Sequence, residues 1–489
     1  MAVPSLPSPL AAALDAHALS RPGAVALSYE GTAVTYGEIT ARSERLAAQL
    51  WHGWGVRAGD RVAWLGANHP GQIELLFALA RIGALLLPLN FRLAPAEWDV
   101  QLAECGPAHL VHDEGWGDAA RQLGARAGVA VHAVDTLGQE GDFAQAPAGG
   151  DASSPVLLVY TSGTTSRPKA AVHTQANLLA NMQIACGVQL ITPQDLVATM
   201  LPLFHVGGLC IQTLPALYAG AQVILHPRFN ADAAFDCFEQ ERATLTLQVP
   251  ATMKALLEHP RWAQADLASL RAVWAGSSLI PQPLVQAFHA RGLPVCNVYG
   301  ATETGPFSIA LPLAHAMDHV GSSGWPAPGV EVRLHEVKDG TGELLIRGPN
   351  VVARYWPDQP ACDAQGWFHT GDLATQAADG SYTVVGRAKD LIISGGENIH
   401  PAEIEAILAE HPTVAECAAF GLPDAEWGEV VAVAVVCQPG LAATERELKA
   451  HLAGRLARFK LPRRWFFMDL LPKTALGKIQ RGALEDRFR

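Results

Sequence analysis

The sequence predicts an α/β protein, with a large N-terminal domain of layered α/β subdomains and a small, mobile α+β C-terminal domain. Three observations carry this. Short apolar runs alternate with longer amphipathic ones from about residue 62 to residue 299. Residues 391–489 change texture, to short apolar runs, two helical patterns and a basic tail. Between them lies Gly386-Arg387-Ala388-Lys389-Asp390, a polar run that can separate folding units. The expected boundaries are 1–386 for the large domain, 387–390 for a hinge and 391–489 for the small domain.

The elements follow in order. Thr35-Tyr36-Gly37-Glu38 is a capping-box signature that opens a helix toward Trp51. Residues 61–65 read as a strand, 71–82 as a helix and 84–88 as a strand, together one βαβ unit. Residues 139–155, rich in Gly, Ala, Asp and Ser, read as a flexible connector. A strand at 156–160 runs into a polar loop, and runs at 223–225, 245–249, 272–275 and 295–299 repeat the alternation. In parallel α/β layers ligands gather beyond the carboxyl ends of the strands, so the loops after these runs are where a site is expected. In the small domain one helix begins at Pro401 and another covers about 445–456.

Bulk properties bound the function. A length of 489 residues suggests about three folding units with large cores. A net charge of −12 argues against nucleic acid as the partner, so any phosphate ligand needs a local positive site. No apolar run approaches the ~18 residues of a membrane span, and 430–437 reads as a buried strand. The N-terminal 20 residues lack a basic leader, so no secretory signal is expected. The eight cysteines are scattered without a Cys-x2-Cys pair, which predicts core thiols in the cytoplasm rather than disulfides or a metal framework.

The loop after residues 156–160 carries the most chemistry. Thr161, Ser162, Gly163, Thr164 and Thr165 are small or hydroxyl-bearing, and Lys169 ends the run. Such a loop can wrap an anion with N–H and hydroxyl donors while the lysine adds a point charge. It lacks the Walker spacing, and alone it reads more readily as a polar surface turn. Four further segments add suitable groups. Residues 297–305 offer Tyr299, Gly300, Thr302 and Glu303 after a strand; Trp367 to Asp372 ends in a carboxylate; Arg387 is a phosphate or ribose candidate; Lys478 follows a glycine near the C-terminus.

In this order the set resembles the adenylate-forming superfamily of acyl-CoA synthetases, peptide-synthetase adenylation domains and luciferases. The likeness spans about 24–481. The text from Ile392 through Ser394, Gly395, Gly396 and Glu397 to Glu405 is most similar to fatty-acyl- and aryl-CoA ligases. The resemblance implies ATP, Mg²⁺ and coenzyme A as cofactors. A carboxylate attacks the α-phosphorus of ATP to give acyl-AMP and pyrophosphate, and a thiolate then takes the acyl group. It further implies that the 161–169 loop holds the β- and γ-phosphates, Thr302 the α-phosphate and Glu303 the metal. Gly276, Ser277 and Tyr299 would flank adenine, and Asp372 and Arg387 the ribose. Lys478 would bridge carboxylate and α-phosphate. Lys389 would be the hinge, Ser394-Gly395-Gly396 the pantetheine loop, and Arg92, Trp427 and Phe459 the contacts to the CoA nucleotide. The chain departs from the pattern at Ser166 and Ala170, where glycine is common, and at Leu461, where some relatives have a basic residue.

The acyl site is expected at Leu201-Pro202-Leu203-Phe204-His205-Val206-Gly207-Gly208, with His205 orienting the carboxylate or simply capping a helix. No aspartate stands there to pair a substrate ammonium. Gly207, Gly208, Ala275 and Gly300 are small, which suggests room for an aromatic ring or alkyl chain. The expected substrate is an aromatic or medium- to long-chain aliphatic monocarboxylic acid. Alternatives are a carrier-protein-loading enzyme, a dicarboxylate-specific CoA ligase and a non-catalytic relative. The expected partners are the acid, ATP and CoA, with no nucleic acid or integral membrane segment, and room for a homodimer.

Overall fold

The computed structural model describes residues 8–139, 141, 143–161, 168–276, 280–394, 397–425, 427–453, 455–474 and 477–489, the side chain of Asn398 aside. Two large sheets dominate the N-terminal part. The nine-stranded sheet runs Trp325–Pro326, Ile309–Ala310, Val295–Tyr299, Ala272–Gly276, Leu245–Gln248, Leu196–Thr199, Gln222–Leu225, Val25–Tyr29, Thr32–Thr35. The eight-stranded sheet runs Gln359–Pro360, Arg354–Tyr355, Lys169–Thr174, Pro155–Thr161, Leu85–Leu89, Arg61–Leu65, His109–His112, Ala130–Ala133. The strands expected from the alternation are all present, with ends shifted by one residue at most. Their inner pairs are parallel, as in Arg61↔Leu85 and Val273↔Val295.

Helix Pro70–Ile82 shows why these segments fold as they do. Pro70 fills its first turn, where an N–H would be unpaired, and His69 accepts the Gly71 N–H as its cap. Gly83, at φ 73°, ends it in a left-handed conformation that costs glycine little. Nearly every side chain of this helix is buried, because it joins the core shared by both sheets. The predicted Thr35–Glu38 capping box is present at the start of Tyr36–Ala48.

Two features were not anticipated. The phosphate-loop candidate joins the antiparallel strands Pro155–Thr161 and Lys169–Thr174, a hairpin rather than a strand-to-helix turn. Helix Gln175–Gln189 begins only after Thr174, which caps it. A four-stranded antiparallel sheet, Glu331–Lys338, Thr341–Arg347, Phe368–Gln376, Tyr382–Arg387, fills the stretch to the hinge. Its first strand has no fully buried residue, so no apolar run announces it.

In the small domain Gly428–Cys437 pairs antiparallel with Val414–Asp424 and parallel with Arg464–Phe467. Val430 to Val435 are buried because both faces are covered. Helices Pro401–Leu408 and Glu445–Leu452 pack on one face through Ile404, Leu408, Leu448 and Leu452, and Leu471 and Leu484 cover the other. The second helix stops before residue 456, since Ala453 is already extended. Lys254 of the large domain donates to the Ala415 carbonyl at 3.1 Å and docks one domain on the other. Among the described residues no helix is long and apolar enough to cross a membrane.

His173 in the hairpin is fully buried, and neither ring nitrogen makes a hydrogen bond. Burial lowers its pKa to about 4, although the nearby Thr302 backbone favours the protonated ring. The unfolded ring therefore binds a proton that the folded ring refuses between about pH 6.5 and 4, and stability falls as pH falls through that window. His173→Leu should flatten the dependence there by about 1.4 kcal/mol per pH unit, read from denaturant titrations across the range.

Candidate active site

Strand register builds the first part of the site. Asp372 and Arg387 are direct partners across Phe368–Gln376 and Tyr382–Arg387, so their side chains share a face. Arg387 Nε lies 3.0 Å from Asp372 Oδ1, and Tyr299 Oη donates to Asp372 Oδ2 at 2.7 Å. The Thr370 hydroxyl accepts the Asp372 N–H at 3.0 Å. Asp372 is 9% exposed, and a carboxylate has about four acceptor positions, so these two bonds leave capacity for a ligand hydroxyl. Burial and the Asp372 charge push the Tyr299 phenol far above its usual pKa, keeping it a donor.

The second part is the turn after Tyr299. Thr302, Glu303 and Thr304 are buried in one short helical turn. Asn181 accepts the Phe307 N–H, and Asn350 donates to the carbonyls of Thr304 and Phe307, which pins the turn to helix Gln175–Gln189. Tyr355 donates to Glu303 Oε1 at 2.8 Å, and its ring lies 5.0 Å from Lys169 Nζ. Tyr355 thus joins the hairpin lysine to the buried carboxylate. Burial raises the Glu303 pKa, while the Tyr355 hydrogen bond and the Arg387 charge work against the rise.

The third part arrives from the small domain. Lys473 and Ile479 bridge, the Lys478 carbonyl accepts from Thr474 N at 2.7 Å, and Gly477 turns at φ +79°. This tight hairpin presents Lys478. Burial and then Arg387 lower the lysine's pKa, and Asp372 and Glu303 oppose them. The Lys478 charge also reaches His205, whose pKa falls to about 4, chiefly through burial. His205 Nδ1 accepts the Gly207 N–H at 3.0 Å, so the neutral ring carries its proton on Nε2. The helix-cap reading and the open donor therefore coexist in one residue.

Sequence reasoning missed three contributors. Tyr355 comes from a two-residue strand paired with Ala171. Arg481 donates to both Glu405 oxygens at 2.7 and 2.8 Å and to Asp390 beside the hinge at 3.3 Å, tying the segment after Lys478 to the hinge. Arg228 lies close enough to Arg92 to lower its pKa, second to burial. All three signals were single residues without local pattern. Elsewhere Ser394 pairs with Gly428 next to Trp427, whose ring carries the Arg463 guanidinium at 4.3 Å. Phe459 is 42% exposed. Lys389 lies in the short turn Ala388–Asp390. Thr161 ends its strand opposite Lys169, and Gly276 ends its strand beside Val298. Ser162, Gly163, Thr164, Thr165, Ser277, Gly395 and Gly396 lie outside the described residues.

Four of the residues expected at the acyl site are closely packed. A Cβ on Gly300 would lie 1.7 Å from the Pro306 carbonyl oxygen, and one on Gly208 2.3 Å from that of Pro202. Both glycines are required by backbone approach. Ala275 packs in a core with Val285 and Phe288, and Val206 is likewise a core residue. A void of about 10 Å³ lies at Gly208, between Thr199, Leu201, Gln212 and Leu247.

Comparison with known proteins fits this geometry. The AMP-binding enzyme family model matches residues 14–356, and the AMP-binding enzyme C-terminal domain model matches 403–478. The chain is 43% identical to the indoleacetate–CoA ligase of Aromatoleum aromaticum and 42% identical to a feruloyl-CoA synthase of Amycolatopsis, each over 96% of both chains. ATP-bound MatB from Rhodopseudomonas palustris superposes over 99% of both chains with a TM-score of 0.91 at 29% identity. The apo form of that protein gives 0.80. The chain belongs to the adenylate-forming AMP-binding enzyme family, and within it to the AMP-forming acid–CoA ligases, which use ATP and coenzyme A. The carrier-loading, dicarboxylate and non-catalytic alternatives are not favoured.

Tyr355→Phe removes a hydrogen bond that favours ionised Glu303. A bond to a charged group is worth about 1.5–3 kcal/mol, and about 1.4 kcal/mol is one pKa unit. The acid limb of the pH–rate profile for pyrophosphate release should move up by about one pH unit. An unmoved limb would detach Glu303 from catalysis.

Proposed function

We propose that the substrate is an aromatic monocarboxylic acid, adenylated where Lys478, Arg387, Asp372, Glu303 and His205 meet. One observation carries the site reading: a lysine of the small domain senses three buried or half-buried charges of the large domain at once. The first half-reaction requires a carboxylate to approach a triphosphate. Two like charges ~4 Å apart at an effective dielectric near 20 repel by about 4 kcal/mol. Lys478, between the carboxylate and the α-phosphate, offsets that repulsion as the C–O–P bond forms and pyrophosphate leaves. The hairpin loop with Lys169 holds the departing phosphates, and Thr302 the α-phosphate. His205, neutral above about pH 4, donates from Nε2 to the substrate carboxylate without neutralising it.

Asp372 and Arg387 bind the ribose, and the Tyr299 ring flanks the adenine. Glu303 suits Mg²⁺: it is a buried carboxylate whose partner is a neutral tyrosine hydroxyl, so its charge is free for a cation. When bound, Mg²⁺ neutralises phosphate charge. For thioester formation the small domain turns about Lys389, which breaks the Lys254–Ala415 contact and withdraws Lys478. Ser394, with Gly395 and Gly396, then borders the pantetheine path, while Trp427, Phe459 and the Arg92–Arg228 pair receive the CoA nucleotide. The aromatic assignment is supported by the names of the two similar ligases and by the absence of a charged side chain in Leu201 to Gly208. The eight free cysteines suit the cytoplasm.

Lys478→Ala should reduce acyl-AMP formation by a few powers of ten, by the arithmetic above, and leave attack of CoA on supplied acyl-AMP near its normal rate. Equal loss of both half-reactions would contradict the bridging role. AMP release with CoA should favour arylacetates, cinnamates or benzoates over C4–C16 fatty acids and dicarboxylates by at least about tenfold in kcat/KM, or ~1.4 kcal/mol. A fatty acid or dicarboxylate as the best substrate would overturn the aromatic assignment.

A further inference from the structure

The spacing of the cysteines offers no metal framework, yet the tertiary structure brings one of them to two other donors. A ring nitrogen of His226, Cys237 Sγ and a Glu241 carboxylate oxygen all lie within 4.8 Å of one another. We propose that these three side chains form a binding site for a borderline-soft divalent ion of the Zn²⁺ or Co²⁺ type, on the large domain and built from none of the residues assigned above to ATP.

The placement follows from element geometry. Strand Gln222–Leu225 puts Ile224 into the core beneath helix Ala231–Glu239, and His226, two residues on, continues the same face. Cys237 is on the buried side of that helix with no solvent exposure. Glu241 follows four residues later, one turn on and exposed, where the Glu241 N–H still reaches the Asp236 carbonyl. The donors therefore run from the core to the surface, with an open approach at the carboxylate.

The histidine supplies the independent reason to expect a ligand. Its Nε2 is buried and has no hydrogen-bond partner among the described residues, a state that costs about 1–3 kcal/mol unless something binds there. Its backbone is fixed on both sides: His226 N donates to the Thr199 carbonyl at 2.9 Å, and Asn68 Nδ2 donates to the His226 carbonyl at 3.0 Å. The main chain of His226 is thus held in place. One imidazole nitrogen, one thiolate and one carboxylate match Zn²⁺, Co²⁺ or Cd²⁺, with a water as fourth ligand, whereas Mg²⁺ and Ca²⁺ require oxygen ligands throughout. On binding, the metal–sulfur bond replaces the S–H bond of Cys237, and the proton leaves to solvent past Glu241. Without the metal, burial keeps this thiol protonated well above neutral pH.

The test uses the full chain, stripped with a chelator and kept in a thiol-free reductant, with no ATP or CoA present. Titration with Co²⁺ should give one equivalent bound, with a sulfur-to-cobalt charge-transfer band and one proton released. Zn²⁺ should displace it, and millimolar Mg²⁺ should not. Cys237→Ser should abolish the band. His226→Gln, on the same scaffold with all its thiols, should abolish tight binding even if the serine variant folds poorly. No band, or a band that survives His226→Gln, would overturn the proposal, since it would assign the thiolate to one of the other cysteines.

Discussion

Arg387 and Lys478 bring two positive charges into one partly buried space, and Asp372 and Glu303 make that arrangement tenable. Burial opposes the charged form of Lys478, and the neighbouring arginine opposes it again. The two carboxylates answer both effects. Each is itself held by a tyrosine, Tyr299 on Asp372 and Tyr355 on Glu303. A low-dielectric site can use such charges on a substrate anion only if none of them is left alone there. The remaining architecture serves this requirement.

The elements that meet the requirement come from separate units. The nine-stranded sheet ends in Tyr299 and the Thr302–Thr304 turn, the eight-stranded sheet contributes Lys169 and Tyr355, and the four-stranded sheet contributes Asp372 and Arg387. Lys478 belongs to the small domain, which Arg481 ties to Glu405 and to Asp390 at the hinge. The small domain therefore supplies one charge of the cluster and the rest of the chain supplies the others.

Legibility in the sequence followed the length scale of the signal. The fully buried strands were readable because they are continuous apolar runs, as in residues 85–89 and 430–435. The capping box at Thr35 was readable because its two partners are three residues apart. The four-stranded sheet was not, because its first strand is half-exposed and charged. Among site residues, Glu303, Asp372 and Lys478 stood in recognisable motifs. Tyr355 and Arg481 act through partners more than fifty residues away and had no local signature. The close backbone approach at Gly208 and Gly300 was not legible for the same reason, since the carbonyls that exclude a Cβ there are fixed by the fold.

By itself the sequence determined the family: the segments at 161–169, 297–305, 367–372 and 472–479, in one order along the chain, carry the resemblance that the comparisons bear out. That resemblance rests on residue type and spacing, which a chain carries before it folds. The tertiary structure decided the protonation and partnership of each group. It put the proton of His205 on Nε2, set Tyr355 between Lys169 and Glu303, and brought Cys237 to His226 and Glu241. Burial and the approach of distant charges set those states, and neither exists until the sheets and the small domain are in place.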